Sequence, residues 1–415
     1  MPSSLSPQPS DTKTQTPNNK HQNPNTKTQT PNNFTVHSSQ LTLHLINSPS
    51  RGGRELYVSD LIVELQRAGV NNYVVGRKHS VVEEACLKEG IHFVNTSTRA
   101  KFSLIEVVRL ALFIRKHKIT TVYSHTRNDV FTGSLIKLFT PVKHVHGIYM
   151  GTGPKKDPIH RFIYGKVDAL ITSSQFSKDE CERYLPVPEG AVKLVRYGRY
   201  TERYQLPPER REEIRNRMST PADKIVVAVM SRIDSGKGVG IFAAALPLLD
   251  KETREKVEFW IMGEPTVKDT NPDGTPVWEE QAFKLYSELK AMAEDMPETL
   301  KLIPFQKDYI SWLAGMDIFV LPTHNEMYSL SVIDAMMTGL PVIGTDAGGT
   351  TEQIGKNERG ILVEPGSAGA IANAIKEFTA NPATIKQKGD AARLWATSQH
   401  NFSKVVQYLK TSVLR

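Results

Sequence analysis

Arg232 and Lys237 stand five residues apart in Arg232-Ile233-Asp234-Ser235-Gly236-Lys237-Gly238, directly after the apolar run KIVVAVMS. A guanidinium forks onto phosphate oxygens, an ammonium adds a point charge, and free amides at a helix start add partial positive charge. This loop is therefore equipped for a diphosphate, although a solvated basic turn has the same composition. A second constellation follows DIFVLPT, where seven residues lie between Glu326 and Asp334. With a helix beginning near Ser329, Glu326 falls in the preceding loop, placed to accept hydrogen bonds from sugar hydroxyls, and Asp334 lies over a turn inside the helix. The amides of Tyr328, Ser329, Leu330 and Ser331 then face the same ligand. An acidic cap plus one helix carboxylate is the plainer reading of these residues. Two glycine pairs, Gly348-Gly349 after PVIGT and Gly52-Gly53 within Arg51-Gly52-Gly53-Arg54-Glu55, permit close backbone approach at a helix start or simply a turn.

These loops need strands to carry them. From Leu41 short apolar runs alternate with amphipathic segments: LTLHLINS, the helical stretch Glu55 to Ala68, NNYVVGR, a second helix, IHFVNT, then TTVYSH, KHVHGI, ALITSS and VKLVRYG. A polar, proline-containing stretch near Tyr204 to Arg211 interrupts the pattern, and KIVVAVMS, VEFWIMG, KLIPFQ, DIFVLPT, PVIGT and GILVEP restart it. The expectation is two doubly wound α/β domains: residues 37–205, residues 206–395, and a C-terminal helix over 396–415 packing back toward the first domain. Ligands of such sheets sit at the carboxyl ends of the strands, so the active site belongs in the cleft between the domains. Residues 1–36, rich in Asn, Pro, Thr and Gln and containing the octamer TKTQTPNN twice, have too few large apolar residues to fold and are expected to form a disordered tail.

Taken together and in order, the glycine pair followed by Glu55, the Arg232–Lys237 loop, the Glu326–Asp334 block and PVIGTDAGGTTE resemble family 4 of the retaining GT-B glycosyltransferases. The resemblance covers most of residues 41–380 and is most specific from Ala314 to Glu364. It implies that Arg232 and Lys237 hold the diphosphate of a nucleotide sugar and stabilise the charge of the leaving nucleotide. Glu326 would contact the donor sugar, and Asp334 would stand for the second family Glu, which binds the ribose. Gly52 and Gly53 would approach the phosphates from the opposite domain, and His146 matches a position near the donor sugar. The base would be held near Ile303 to Gln306. Two departures stand out: Asp334 is a methylene shorter than Glu, and Tyr197-Gly198 replaces the more frequent Asn-Gly at the hinge. Retention without an evident nucleophilic carboxylate points to same-face attack assisted by the leaving phosphate. The chain holds no Asp-x-Asp metal grip, so no metal or cofactor is expected, and the cationic loop takes that role. A sugar-nucleotide 2-epimerase and an inactive nucleotide-sugar-binding scaffold are the rival readings.

The composition limits the partners. Lys plus Arg exceed Asp plus Glu by 8, and the excess sits between Lys101 and Lys166, where twelve basic residues meet Glu106, Asp129 and Asp157. No nucleic-acid-binding signature accompanies them. The patch suits a phosphorylated, lipid-linked or otherwise anionic glycan acceptor, or an anionic membrane surface. Within it, Ser103 to Lys118 reads either as a membrane-surface helix or as a buried helix with a solvated basic tail. The two cysteines, Cys86 and Cys181, read as reduced thiols, and no secretory leader or membrane-length apolar stretch is apparent, so a cytoplasmic protein is expected, peripheral at most to the membrane face.

Overall fold

The computed structural model describes residues 40–96, 103–271 and 275–415. The repetitive segment of residues 1–36 and Lys101 of the basic window lie outside the described residues. The first sheet holds seven parallel strands: β1 (Leu41–Ile46), β2 (Asn71–Gly76), β3 (His92–Asn95), β4 (Thr121–Ser124), β5 (Lys143–Gly147), β6 (Ala169–Thr172) and β7 (Val192–Leu194). Six helices link them: α1 (Gly53–Arg67), α2 (Val81–Lys88), α3 (Leu104–His117), α4 (Asp129–Ile136), α5 (Pro158–Tyr164) and α6 (Gln175–Tyr184). The strand order is β3-β2-β1-β4-β5-β6-β7, so the winding reverses between β1 and β4. Five of the six residues of β1 and all of β4 and β6 are buried, as parallel strands covered by helices on both faces must be.

The chain then enters α7 (Glu209–Arg217) and β8 (Ile225–Met230), followed by α8 (Val239–Ala245), α9 (Lys251–Lys256) and β9 (Val257–Met262). A separate antiparallel hairpin, β10 (Val267–Thr270) with β11 (Pro276–Trp278), precedes α10 (Glu280–Asp295), β12 (Leu300–Ile303) and α11 (Tyr309–Leu313). The remaining strands are β13 (Ile318–Leu321), β14 (Val342–Thr345) and β15 (Gly360–Val363), with α12 (Leu330–Met337) and α13 (Thr350–Ile354) between them. Their parallel sheet runs β12-β9-β8-β13-β14-β15, with its reversal between β8 and β13. Asp317 at the foot of β13 ties the start of this half together, accepting from Arg211 and Arg215 of α7 and from the Val226 amide at 2.8 Å.

Three helices close the chain: α14 (Ala368–Ala380), α15 (Ala383–Gln399) and α16 (Phe402–Tyr408). Of these, α16 returns to the first sheet, where Phe402, Val405 and Val406 join the core containing Tyr57 and Leu61 of α1. Beyond it the Leu414 carbonyl accepts from the Thr121 hydroxyl at 3.1 Å. The two sheets turn their carboxyl ends toward each other: a methyl placed on Gly53 would come within 3.2 Å of Leu330 Cδ1. Among the described residues no helix is long and apolar enough to cross a membrane.

Candidate active site

Both winding reversals open onto the same cleft, and the loops there are shaped by glycines that their neighbours leave no room to replace. In the loop after β8, Asp234 caps a short turn by accepting from the Lys237 amide at 3.0 Å. Gly238 has φ +68, and a Cβ there would lie 1.9 Å from the Pro322 carbonyl oxygen, so the cationic loop is pressed against the end of β13. That contact delivers Lys237 to Glu326: Nζ donates to Oε2 at 2.9 Å. Arg232 remains 64% exposed with Asp234 no nearer than 3.9 Å, free to swing onto a ligand.

The loop after β14 supports Glu326 from below. The Gly349 amide donates to the Glu326 carbonyl at 2.8 Å, and a Cβ on Gly349 would sit 1.8 Å from the Met327 carbonyl oxygen. Gly348, at φ +58, is tight as well, since a Cβ there would lie 2.3 Å from the Glu326 carbonyl oxygen. Helix α12 opens at Ser329, whose hydroxyl caps the Val332 amide at 3.4 Å. The Ser329 amide is already taken by Gln353 Oε1 at 3.1 Å, which leaves the amides of Leu330 and Ser331 as the helix start facing the cleft. Gly52 and Gly53 face this start from the first half, with Gly53 against the Leu330 side chain.

Two residues, Asp334 and His146, take places other than those expected, and Tyr328, expected to offer its amide, turns its side chain into the core. Tyr328 is buried, and its hydroxyl accepts from Arg196 at 2.7 Å and lies 3.2 Å from His400 Nε2. Asp334 is 2% exposed and faces the hinge rather than the cleft. Arg199 Nε and the Tyr204 hydroxyl both reach Asp334 Oδ1 at 2.6 Å, and the Tyr309 hydroxyl donates to Oδ2 at 3.2 Å. Burial opposes the Arg199 charge, but Asp334, ahead of Tyr204 and Tyr309, raises the guanidinium pKa above its ordinary value. The shorter side chain thus serves a buried ion pair between the halves, and both oxygens are engaged by the chain's own donors. His146 is likewise buried, with Nδ1 2.9 Å from the Ser124 hydroxyl and 3.1 Å from the Ser124 carbonyl and its ring edge-on to Tyr164 of α5. Burial lowers its pKa to about 4, so near neutrality it is an uncharged imidazole packed toward α5.

Sequence reasoning missed the residues that join the halves. Arg196 donates to the Tyr328 hydroxyl and, at 2.5 Å, to Glu352, whose other oxygen accepts from the Gln175 amide at the start of α6 at 2.8 Å. Tyr197, the hinge departure, stacks parallel to Tyr149 at 6.3 Å and edge-on to Tyr328 at 6.1 Å. His400 Nδ1 lies 2.9 Å from the Tyr197 carbonyl, and a Cβ on Gly198 would fall 2.1 Å from the Phe402 ring. The glutamate ending DAGGTTE was a visible signal for Glu352; nothing local marked Arg196 or Arg199 among the many arginines.

Two Rossmann-like sheets with facing carboxyl ends and a cation–carboxylate pair in the cleft define the GT-B architecture. Residues 210–395 match the family model "Glycosyl transferases group 1", and residues 51–203 match "Glycosyltransferase Family 4". The chain belongs to the family 4 GT-B glycosyltransferases. A D-inositol 3-phosphate glycosyltransferase from Streptomyces bingchenggensis is 26% identical over 236 residues, 55% of this chain and 49% of that protein. The chain thus spans about half the length of several curated relatives it matches, although one of the same name from Saccharomonospora viridis aligns over 80% of this chain and 82% of its own length at 23% identity. Among solved structures, Anabaena HepE in complex with UDP superposes with a TM-score of 0.77 at 17% identity, covering 90% of this chain and 99% of that one.

Proposed function

We propose that this chain transfers a sugar from a nucleotide-sugar donor, with retention of anomeric configuration, to a glycan or lipid-linked acceptor in surface polysaccharide or glycolipid synthesis. The observation that carries the reading is the Lys237–Glu326 pair at the reversal of the second sheet, opposite Gly52 and Gly53. Lys237 and Glu326 satisfy each other at 2.9 Å. A donor diphosphate takes over Lys237 and recruits the free Arg232, which releases the Glu326 carboxylate to accept from hydroxyls of the sugar. As the glycosidic carbon–oxygen bond breaks, these cations hold the charge that collects on the diphosphate. The acceptor oxygen attacks from the same face, and its proton passes to the departing phosphate oxygen, so no protein nucleophile is required. The UDP held by HepE supports a uridine nucleotide as the first donor to try. The acceptor belongs on the first sheet's side of the cleft, the half whose sequence carries the basic window between Lys101 and Lys166, which suits an anionic group.

The test is nucleotide release from a panel of UDP-, GDP- and ADP-sugars, with and without EDTA. One donor should be consumed regardless of EDTA, and Lys237→Ala or Glu326→Ala should each cost about a hundredfold or more in kcat. Consumption of no donor, or an inverted product linkage, defeats the proposal. The buried Asp334 favours a second reading, a nucleotide-sugar-binding scaffold of little activity. If Asp334→Glu confers turnover that the native chain lacks, the scaffold reading replaces the first.

A further inference from the structure

Helix α3 is apolar on both sides. Its inner residues Val107, Leu110 and Ile114 pack with Val122 and Ile136 in the core of the first half. On the outside Leu104, Ile105, Val108 and Leu112 are between 50% and 82% exposed. At about 100° per residue these four fall within a single strip about 100° wide. Arg115 and Lys116 carry the strip onward, and Lys118 closes the helix with φ 54. The one carboxylate of the helix, Glu106, is turned inward and bound by Arg109 Nε at 2.9 Å. Arg115 donates to the Phe139 carbonyl at 2.6 Å, which fixes the corner after α4 where Leu138 and Phe139 are both exposed. In the next helix of the same layer, α5 exposes Ile159 and Phe162, with Lys166 Nζ 5.7 Å over the Phe162 ring.

A helix on a water-facing surface normally turns polar side chains outward. Clustered exposed apolar groups rimmed by charge mark an interaction site. Here the strip ends in cations and carries no carboxylate, so its complement must combine an apolar depth with negative charge beside it, which is the chemistry of a phospholipid headgroup boundary. We propose that the outer face of α3, with the Leu138-Phe139 corner, docks on an anionic lipid bilayer. The four aliphatic side chains enter the headgroup–acyl boundary, and Arg115, Lys116 and Lys118 lie on lipid phosphates. This surface is separate from the donor site, so lipid docking is read without turnover.

The full chain is sedimented with phosphatidylcholine vesicles containing or lacking phosphatidylglycerol. Binding to the anionic vesicles should be at least about tenfold stronger and should weaken in high salt. Ile105→Ser/Leu112→Ser and Lys116→Glu/Lys118→Glu should each weaken it at least about tenfold, while melting temperature and nucleotide binding stay at native values, because all four side chains face solvent. No binding to anionic vesicles, or equal binding by the native chain and both variants, overturns the proposal. So does a dimer that forms without lipid and is lost in Ile105→Ser/Leu112→Ser, an outcome that assigns the face to a second copy of the chain.

Discussion

At the scale of single residues, Asp334 shows a carboxylate taken up by the chain's own donors. Its position in the sequence matches a sugar-nucleotide ligand, yet its oxygens meet Arg199, Tyr204 and Tyr309 inside the hinge. Removing one partner of a buried pair strands the other charge. Asp334→Ala is therefore expected to cost about 3–5 kcal/mol of stability, and Arg199→Met/Asp334→Leu clearly less than the sum of its single changes. Denaturant melts of the native chain, Asp334→Ala, Arg199→Met, Asp334→Leu and the double variant check this. If Asp334 instead serves only the ribose, Asp334→Ala leaves the melt unchanged and raises KM for the donor.

At the scale of elements, the clasp formed by Arg196, Tyr328 and Glu352 ties the strand-end segment before the hinge to α13 and to the start of α6. None of the three needs to touch the donor, but they set where α12 sits against Gly53. A displacement of about 1 Å at a reacting centre costs about a hundredfold. Partial loosening by Glu352→Gln should lower kcat by about tenfold with little change in donor affinity, because Lys237 and Arg232 are untouched. Steady-state kinetics beside donor titration distinguishes this from a binding defect: parallel losses in both contradict the positioning role.

At the scale of the whole molecule, five histidines among the described residues are buried neutral. Burial lowers His44 and His146 to about 4 and His400 to about 3, and holds His125 and His144 well below the ordinary value. The unfolded chain takes up these protons below about pH 6.5, whereas the folded chain refuses them until about pH 4. Stability is thus complete above pH 6.5 and is lost as the pH falls toward 4, by up to about 1.4 kcal/mol per pH unit for each histidine. Asp129, whose burial raises its pKa to about 6, acts in the opposite sense, as do Asp60 and Glu180, both raised by burial, so three groups stand against five. The melting temperature should drop steeply between pH 6.5 and 5. A flat profile over that range contradicts the buried neutral assignment.

The repeated strand–helix alternation, the glycine pairs and the spacing of Arg232, Lys237 and Glu326 were legible in the sequence because they are local: periodicity follows from which face a side chain takes, and loop motifs from what a backbone turn can accommodate. Two Rossmann-like sheets and the family follow from those signals alone. The partners that matter most at the hinge were not legible, since Arg199 and Asp334 are separated by 135 residues and only packing selects one arginine among many for burial. The same holds for His146, whose strand-end position says nothing of which face its ring takes. For α3 the sequence left a membrane-surface helix and a buried helix open, and the structure shows a helix buried on one side with its other apolar side in solvent. Local pattern thus determined the elements and the loops that carry chemistry. Tertiary structure alone decided which charges stay at the strand ends and which became buried struts, because desolvation and pairing depend on neighbours that the chain brings together only on folding.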